Sequence, residues 1–263
     1  MGVGYSCVDM ICMVEDFPVE DSSTHITSRV VQGGGAVATA LVAASRLGTK
    51  CAFIGNIGND IMSDETIRMF QSDGVCTDYM VRRDDCYGLE SIVMVNPANG
   101  SRTKFPQRDY NPPISWDDRL SDVVGGCCIL HLDGTHYENA INAARIAKEH
   151  GVLVSLDGCS MQKDNEKNKI LATMADILIM NSKYPLKVSG KASYDEALLE
   201  MSTWGSKKVV GCTLGDKGSK FVVDGRVVDF PSFKAKSVVD TTGCGDVFHG
   251  AFLSAYVSGM ALE

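Results

Sequence analysis

Between Asp240 and Asp246 the chain reads DTTGCGD, and an apolar run, VFHGAFLSAYV, follows at once. Glycines at 243 and 245 let the backbone bend so that successive N–H groups converge on one point. The helix that starts there adds its positive end, and together they suit a phosphoryl group that is accumulating charge. Asp246 falls in the first turn of that helix. An acid beside an anion makes sense there if it accepts a proton from the hydroxyl that attacks the phosphorus. A plain turn followed by a helix acid, which the helix dipole favours, is the alternative reading of the same letters.

Such a loop must be held at the edge of a sheet. In the second half, CCILHLD, VLVSLD, DILIMN and KKVVGCTLG are short apolar runs typical of buried parallel strands. Helical segments separate them. THYENAINAARIAKEHG opens with Thr135 and Glu138 at capping-box spacing, and SYDEALLEMSTWG does the same with Ser193 and Glu196. KFVVDGRVVDF reads as a hairpin turning at Asp224-Gly225. Successive βα units predict right-handed crossovers and a doubly wound sheet. The strands finish at Asp133, Asp157, Asn181 and Thr213-Leu214-Gly215, the edge at which open α/β sheets bind ligands. Each of these polar groups also fits simple turn capping.

The first half has the same grammar with an interruption. AVATALVAASRLG is a small-residue helix ending on Gly48, KCAFIGNIG a strand, and SDETIRMFQSDG a capped helix ending on Gly74. Met13 to Gln32 and Tyr87 to about Tyr110 look instead like short strands joined by polar turns, forming a small separate sheet.

Bulk properties exclude some classes. The 263 residues are 44% hydrophobic and 22% charged, ordinary for a globular protein. The formal net charge of -8 disfavours nucleic acid and anionic membranes as partners. No apolar run reaches the roughly 20 residues that span a bilayer, and no secretion signal is visible. The 10 cysteines are scattered without CxxC spacing, which fits free thiols in a reducing cytoplasm. No GxGxxG follows the first strand, which disfavours a dinucleotide oxidoreductase.

DTTGCGDVFHGAF resembles the C-terminal motif of the ribokinase-like (PfkB) carbohydrate kinases, and GGGAVATALVAASRLG, Gly33 to Gly48, resembles their N-terminal motif. VGYSCVD before them and TLGDKG between them fit the family in order, so the resemblance covers nearly the whole chain. It implies a ribokinase-like α/β fold, a mostly parallel sheet flanked by helices with a small β-sheet lid. Residues 1–12, 33–86 and 111–263 would form the kinase core, and 13–32 and 87–110 the lid, which would pair two subunits into a homodimer. The implied activity is ATP-dependent phosphorylation of a hydroxyl on a small sugar. Asp246 would be the base, with the N–H groups of Gly243, Cys244 and Gly245 as the anion hole. Asp9, Gly34, Gly35 and Asp133 would hold the sugar, with Thr39 where the family usually has Asn. Asn181, Thr213, Gly215 and Gly218 would face the nucleotide phosphates. Asp240 and Thr242 would hold a monovalent cation, K⁺, and Mg²⁺ would arrive with ATP.

Departures from the family pattern carry expectations of their own. Tyr184 in NSKY stands where a glutamate usually organises metal-bound water. The chain stops soon after the motif, whereas members usually continue, so a C-terminal part is expected to be missing. A weaker resemblance points to the sulfofructose kinase branch, yet His25, Arg29, Arg102, Lys104 and Arg108 read as solvated lid charges. His249 lies three residues after Asp246, on a similar helix face; it reads as a packing or surface residue, with tuning of the base as the alternative, and Trp116 and Trp204 read as packing. A nucleoside kinase of the same family and a non-catalytic sugar-binding protein are the competing readings. Intact Asp246 and its glycines argue against the second.

Overall fold

A computed structural model describes residues 1–98, 100–236, 238 and 241–260. The first half contains β1 (Gly2–Val3), β2 (Cys7–Val14), β3 (Ile26–Gly34), α1 (Ala36–Arg46), β4 (Cys51–Ala52), β5 (Gly55–Ile57), α2 (Ile61–Ser72), β6 (Val75–Cys76), β7 (Met80–Arg82), β8 (Glu90–Asn96) and β9 (Ser101–Pro106). The second half runs α3 (Asp118–Gly125), β10 (Ile129–Leu132), α4 (Tyr137–Glu149), β11 (Leu153–Gly158), α5 (Asn165–Met174), β12 (Ile177–Met180), α6 (Tyr184–Ser189), α7 (Tyr194–Met201), β13 (Val209–Thr213), the hairpin β14 (Ser219–Val223) and β15 (Arg226–Phe230), and α8 (Cys244–Val257).

The main sheet has the order β1-β10-β11-β12-β13-β14-β15. β1 and β10 to β13 pair in parallel, and the last two strands are antiparallel. All residues of β10 and β12 are buried, as expected of strands covered by helices on both faces. α4 covers the sheet with Ala140, Ala143, Ala144 and Ala147, all buried at helical spacing. This is the doubly wound core that the βα alternation predicts. The hairpin turns at Asp224 (φ 48°) and Gly225 (φ 74°), both left-handed as a two-residue turn of this hand requires.

The small sheet is real and four-stranded, with the order β3-β2-β8-β9. It takes in Cys7–Val14 entire and so begins ahead of the boundary expected at Met13. The reason is pairing: from residue 8 onward β2 is bonded to β3 on one side and β8 on the other.

Three local expectations are corrected. KCAFIGNIG is two short strands in two separate two-stranded sheets, because β4 pairs with β6 and β5 with β7. α2 starts at Ile61, capped by Asp60, whose side chain accepts from the Ser63 N–H. Ser63 Oγ accepts instead from Gly58 N at 2.9 Å. The capping box at Thr135 and Glu138 does not form: His136 occupies the N-cap without a side-chain bond. Thr135 Oγ1 is 3.0 Å from Ser160 Oγ, to which it donates across the strand ends. At Ser193 the N-cap bond does form, with Ser193 Oγ accepting from Glu196 N, while the Glu196 side chain accepts from the Ser193 hydroxyl.

Candidate active site

A cleft of about 660 Å³ separates the small sheet from the N-terminal ends of α1 and α8. Asp9, Gln32, Gly33, Gly34 and Ser91 line it from the sheet, Gly35 and Thr39 from the start of α1, and Thr242, Gly243 and Asp246 from the start of α8.

The glycines of the first motif have separate reasons. A Cβ on Gly34 would stand 2.3 Å from Asp9 Oδ2, so this position is what lets the Asp9 carboxylate lie along the strand edge. Gly35 is the N-cap of α1 with φ 105°, and its Cβ would meet the Tyr5 carbonyl. The Cys7 thiol, buried beneath, donates to Asp9 Oδ1 at 3.5 Å.

Gly243 is the left-handed N-cap of α8 (φ 75°). A methyl group there would lie 3.6 Å from Thr39 Cγ2 and 3.9 Å from Asp246 Oδ2, so Thr39, Gly243 and Asp246 converge. The first backbone bond of the helix is Val247 N to Gly243 O, which leaves the first-turn amides outside the helical ladder. Cys244 N makes a long contact, 3.4 Å, with Thr241 O. Gly245 is different again: its φ is not left-handed, and a Cβ would meet no atom of the described residues within 4 Å. Neither packing nor backbone conformation calls for glycine at 245.

Asp246 is half-buried, and its carboxyl is pushed up to about 6. Burial is the main cause, followed by the negative charge of Asp157, while His249 and Lys104 pull the other way. A carboxylate near neutrality in its proton affinity is suited to taking and returning a proton.

The remaining expected residues are more dispersed. Asp133 is fully buried; its two oxygens accept from Tyr5 N and Thr135 N, both at 2.8 Å. It thereby holds the β1 and β10 ends together under the cleft and is absent from its lining. Asn181, just beyond β12, donates to Cys159 O and accepts from Lys183 N and Tyr184 N. Thr213 ends β13, and Gly215 (φ 65°) and Gly218 (φ 88°) frame the short turn Gly215–Lys217 that follows. Cys244 is exposed, and Asp240 lies outside the described residues. Trp116 and Trp204 pack against the main core, as read from the sequence.

Two lid charges are not simply solvated. Lys104 lines the cleft, and Arg102 Nη1 donates to Thr242 Oγ1 in the glycine loop. Their sequence context is an exposed alternating strand, which gives no sign that β9 faces the loop of α8. His25, Arg29 and Arg108 are exposed. Tyr5 also lines the cleft, stacked on His136 with ring centroids 6.2 Å apart.

The model of the pfkB family of carbohydrate kinases matches residues 1–263, the whole chain. The chain belongs to the pfkB carbohydrate kinase family. Among proteins similar to this family member is a deoxyribokinase of Salmonella typhi, 26% identical over 99% of the chain and 86% of that protein. A nucleoside kinase of Methanocaldococcus jannaschii is 25% identical over 99% of the chain and 84% of its own length. The structure of Arabidopsis thaliana ribokinase complexed with ribose and ATP superposes with a TM-score of 0.85 at 25% identity, covering 99% of this chain and 86% of that one. The ribokinase-like fold expected from the motifs is therefore present.

Among the described residues no group of three or more His, Cys, Asp or Glu side chains is arranged to hold a metal ion. Tyr184, at the position of the family's glutamate, is buried and donates to Asn168 O at 3.2 Å. An all-protein Mg²⁺ cage does not fit; a divalent ion held by nucleotide phosphates and water does. Thr242 Oγ1 faces the Arg102 guanidinium, and Asp240, the other expected cation ligand, lies outside the described residues.

Proposed function

We propose that the protein is an ATP-dependent kinase that phosphorylates a hydroxyl of a small sugar, with Asp246 as general base. The observation that carries this reading is the Asp246 carboxyl, raised to about 6, entering a sugar-sized cleft beside a glycine loop whose Gly245 no protein contact explains. In this reading the acceptor O–H gives its proton to Asp246 while its oxygen forms a bond to the γ-phosphorus. The bond from that phosphorus to the β-phosphate oxygen breaks, and ADP leaves. The amides of Gly243, Cys244 and Gly245 receive the charge on the transferred group. Asp9, Gly34, Gly35 and Thr39 orient the sugar. Asp133 acts from below by fixing Tyr5 and Thr135 at the floor. Asn181, Thr213, Gly215 and Gly218, at the ends of neighbouring parallel strands, face the nucleotide. Mg²⁺ bound to the phosphates would supply charge neutralisation.

A monovalent cation at Asp240 and Thr242 belongs to a state in which Arg102 has left Thr242, since both cations compete for one oxygen. We also infer a homodimer through the lid. Val31, Met10, Ile92 and Phe105 form one cross-strand row, and Phe105 is 57% exposed. Cytoplasmic residence fits the ten unpaired thiols, which stay reduced there.

The deciding experiment is ADP release from ATP and Mg²⁺ across hexoses, pentoses, sulfosugars and nucleosides, with Asp246→Asn alongside. A sugar-dependent signal lost in the variant is expected. Sugar binding without ADP release would leave a sensor, and preference for nucleosides would replace the acceptor class.

A further inference from the structure

Outside the lining of the cleft, His249 Nε2 lies 3.2 Å from Asp157 Oδ1. Both residues are 3% exposed. His249 is one helical turn after Asp246, and Asp157 is near the carboxyl end of β11, so this contact ties the first turns of α8 to the central sheet. Two ionisable groups in a dry interior are costly to keep unless they serve each other, and apolar residues would pack there at least as well. We propose that Asp157 and His249 form a positioning couple for Asp246: His249 holds α8 against β11 and offsets the Asp157 charge that would otherwise hinder ionisation of the base. This rests on the reading of Asp246 as base.

The surroundings support an electrostatic role. Burial pushes the Asp157 carboxyl up, but the charge and hydrogen bond of His249 overcome it and hold Asp157 below its usual value. Asp157 is thus kept as an anion, and it is the main charge acting to raise Asp246. His249 is the first charge acting against that rise. From β10, His131 stacks near His249, ring centroids 5.4 Å apart. Burial and then His249 push it down to about 3, so it is neutral, with Nδ1 3.1 Å from Ser155 Oγ. The other ionisable groups around the couple are Asp133 after β10, Cys159 after β11, the amino group of Met1, and Lys104 across the cleft. α1 faces α8 with Thr39, Ala40 and Ala43, none of them charged. The ring nitrogens His249 Nδ1 and His131 Nε2 have no partner among the described residues, so the Asp157 bond is what orients the His249 ring.

The test is the pH profile of kcat/KM for wild type, Asp157→Asn, His249→Leu and Asp246→Asn, with thermal unfolding of each. The midpoint of the acid limb does not depend on how much protein is folded. Removing the anion in Asp157→Asn should move the limb to lower pH. Removing its partner in His249→Leu should move it to higher pH, each by about one unit, a tenfold change in ionised base on the limb. If His249→Leu fails to fold, the nearly isosteric Asp157→Asn still gives a signed result. Limbs that stay put, or move in the same direction, while Asp246→Asn abolishes the limb would overturn the couple and leave the base standing. A limb that survives in Asp246→Asn would remove the base reading and this proposal together.

Discussion

Gly250 of α8 sits directly against Ala40 of α1: a Cβ on Gly250 would come within 2.1 Å of the Ala40 carbonyl oxygen and 2.8 Å of the Ala43 Cβ. The two helices together carry the wall of the cleft that faces the small sheet, Thr39 on one and Asp246 on the other, so their separation sets the spacing of those two groups. Gly250→Ala should therefore force the helices apart and cost about 1–3 kcal/mol of stability, the usual scale of overpacking. Calorimetry should show a Tm several degrees lower, and sugar KM should rise with it. An unchanged Tm would mean that the helices do not approach as described.

Gly245→Ala separates ligand contact from packing. Its Cβ meets no atom of the described residues within 4 Å, so the melting temperature should stay within the range of a neutral surface change. If the phosphoryl group approaches this amide, kcat should fall by about 10²-fold, the scale of losing one anion-hole donor. A fully active variant would place the anion elsewhere.

Asp246→Asn should lower kcat by about 10²–10⁴-fold while leaving sugar and ATP affinity nearly unchanged. Asparagine keeps the shape and can still hydrogen-bond the acceptor hydroxyl, but it does not readily take its proton. Equilibrium binding beside steady-state kinetics separates the two roles. Weakened binding with kcat preserved would make Asp246 a substrate-positioning group.

The raised Asp246 carboxyl fixes a sign as well. The base is active when ionised, so kcat/KM should fall as pH drops through about 6. Stability responds in the opposite sense. The folded protein holds this proton more tightly than the unfolded chain, so the stabilisation is complete below about pH 4, the unperturbed range. It is lost as pH rises through about 6. Denaturant titrations of wild type and Asp246→Asn across that window should differ in slope, the variant lacking this component.

Arg102→Ala should release Thr242 Oγ1 from the lid. If a monovalent cation uses that oxygen, the variant should reach half-maximal activation at severalfold less K⁺ than wild type, with choline holding ionic strength constant. Equal K⁺ curves would detach Thr242 from any cation site.

The parallel strands of the core were legible because buried parallel strands are continuous apolar runs, and Ile129–Leu132 and Ile177–Met180 have no polar face to confuse them. The glycine loop was legible because its chemistry is local: Gly243 sets the backbone, and Asp246 follows within one turn. By itself, the sequence determined the parallel core, the loop at its carboxyl edge and the acid beside it. Tertiary structure decided everything that depends on distant segments meeting. Thr135 forgoes its capping box because Ser160, 25 positions away, offers its hydroxyl a partner. Arg102 reaches Thr242 across 140 positions, and nothing in an exposed strand records that contact. The spacing of His249 from Asp246 is visible in the sequence, but its partner is not until the end of β11 brings Asp157 to 3.2 Å from it. A residue's type fixes which bonds it can make, but only packing supplies the partner and removes the water that would otherwise compete.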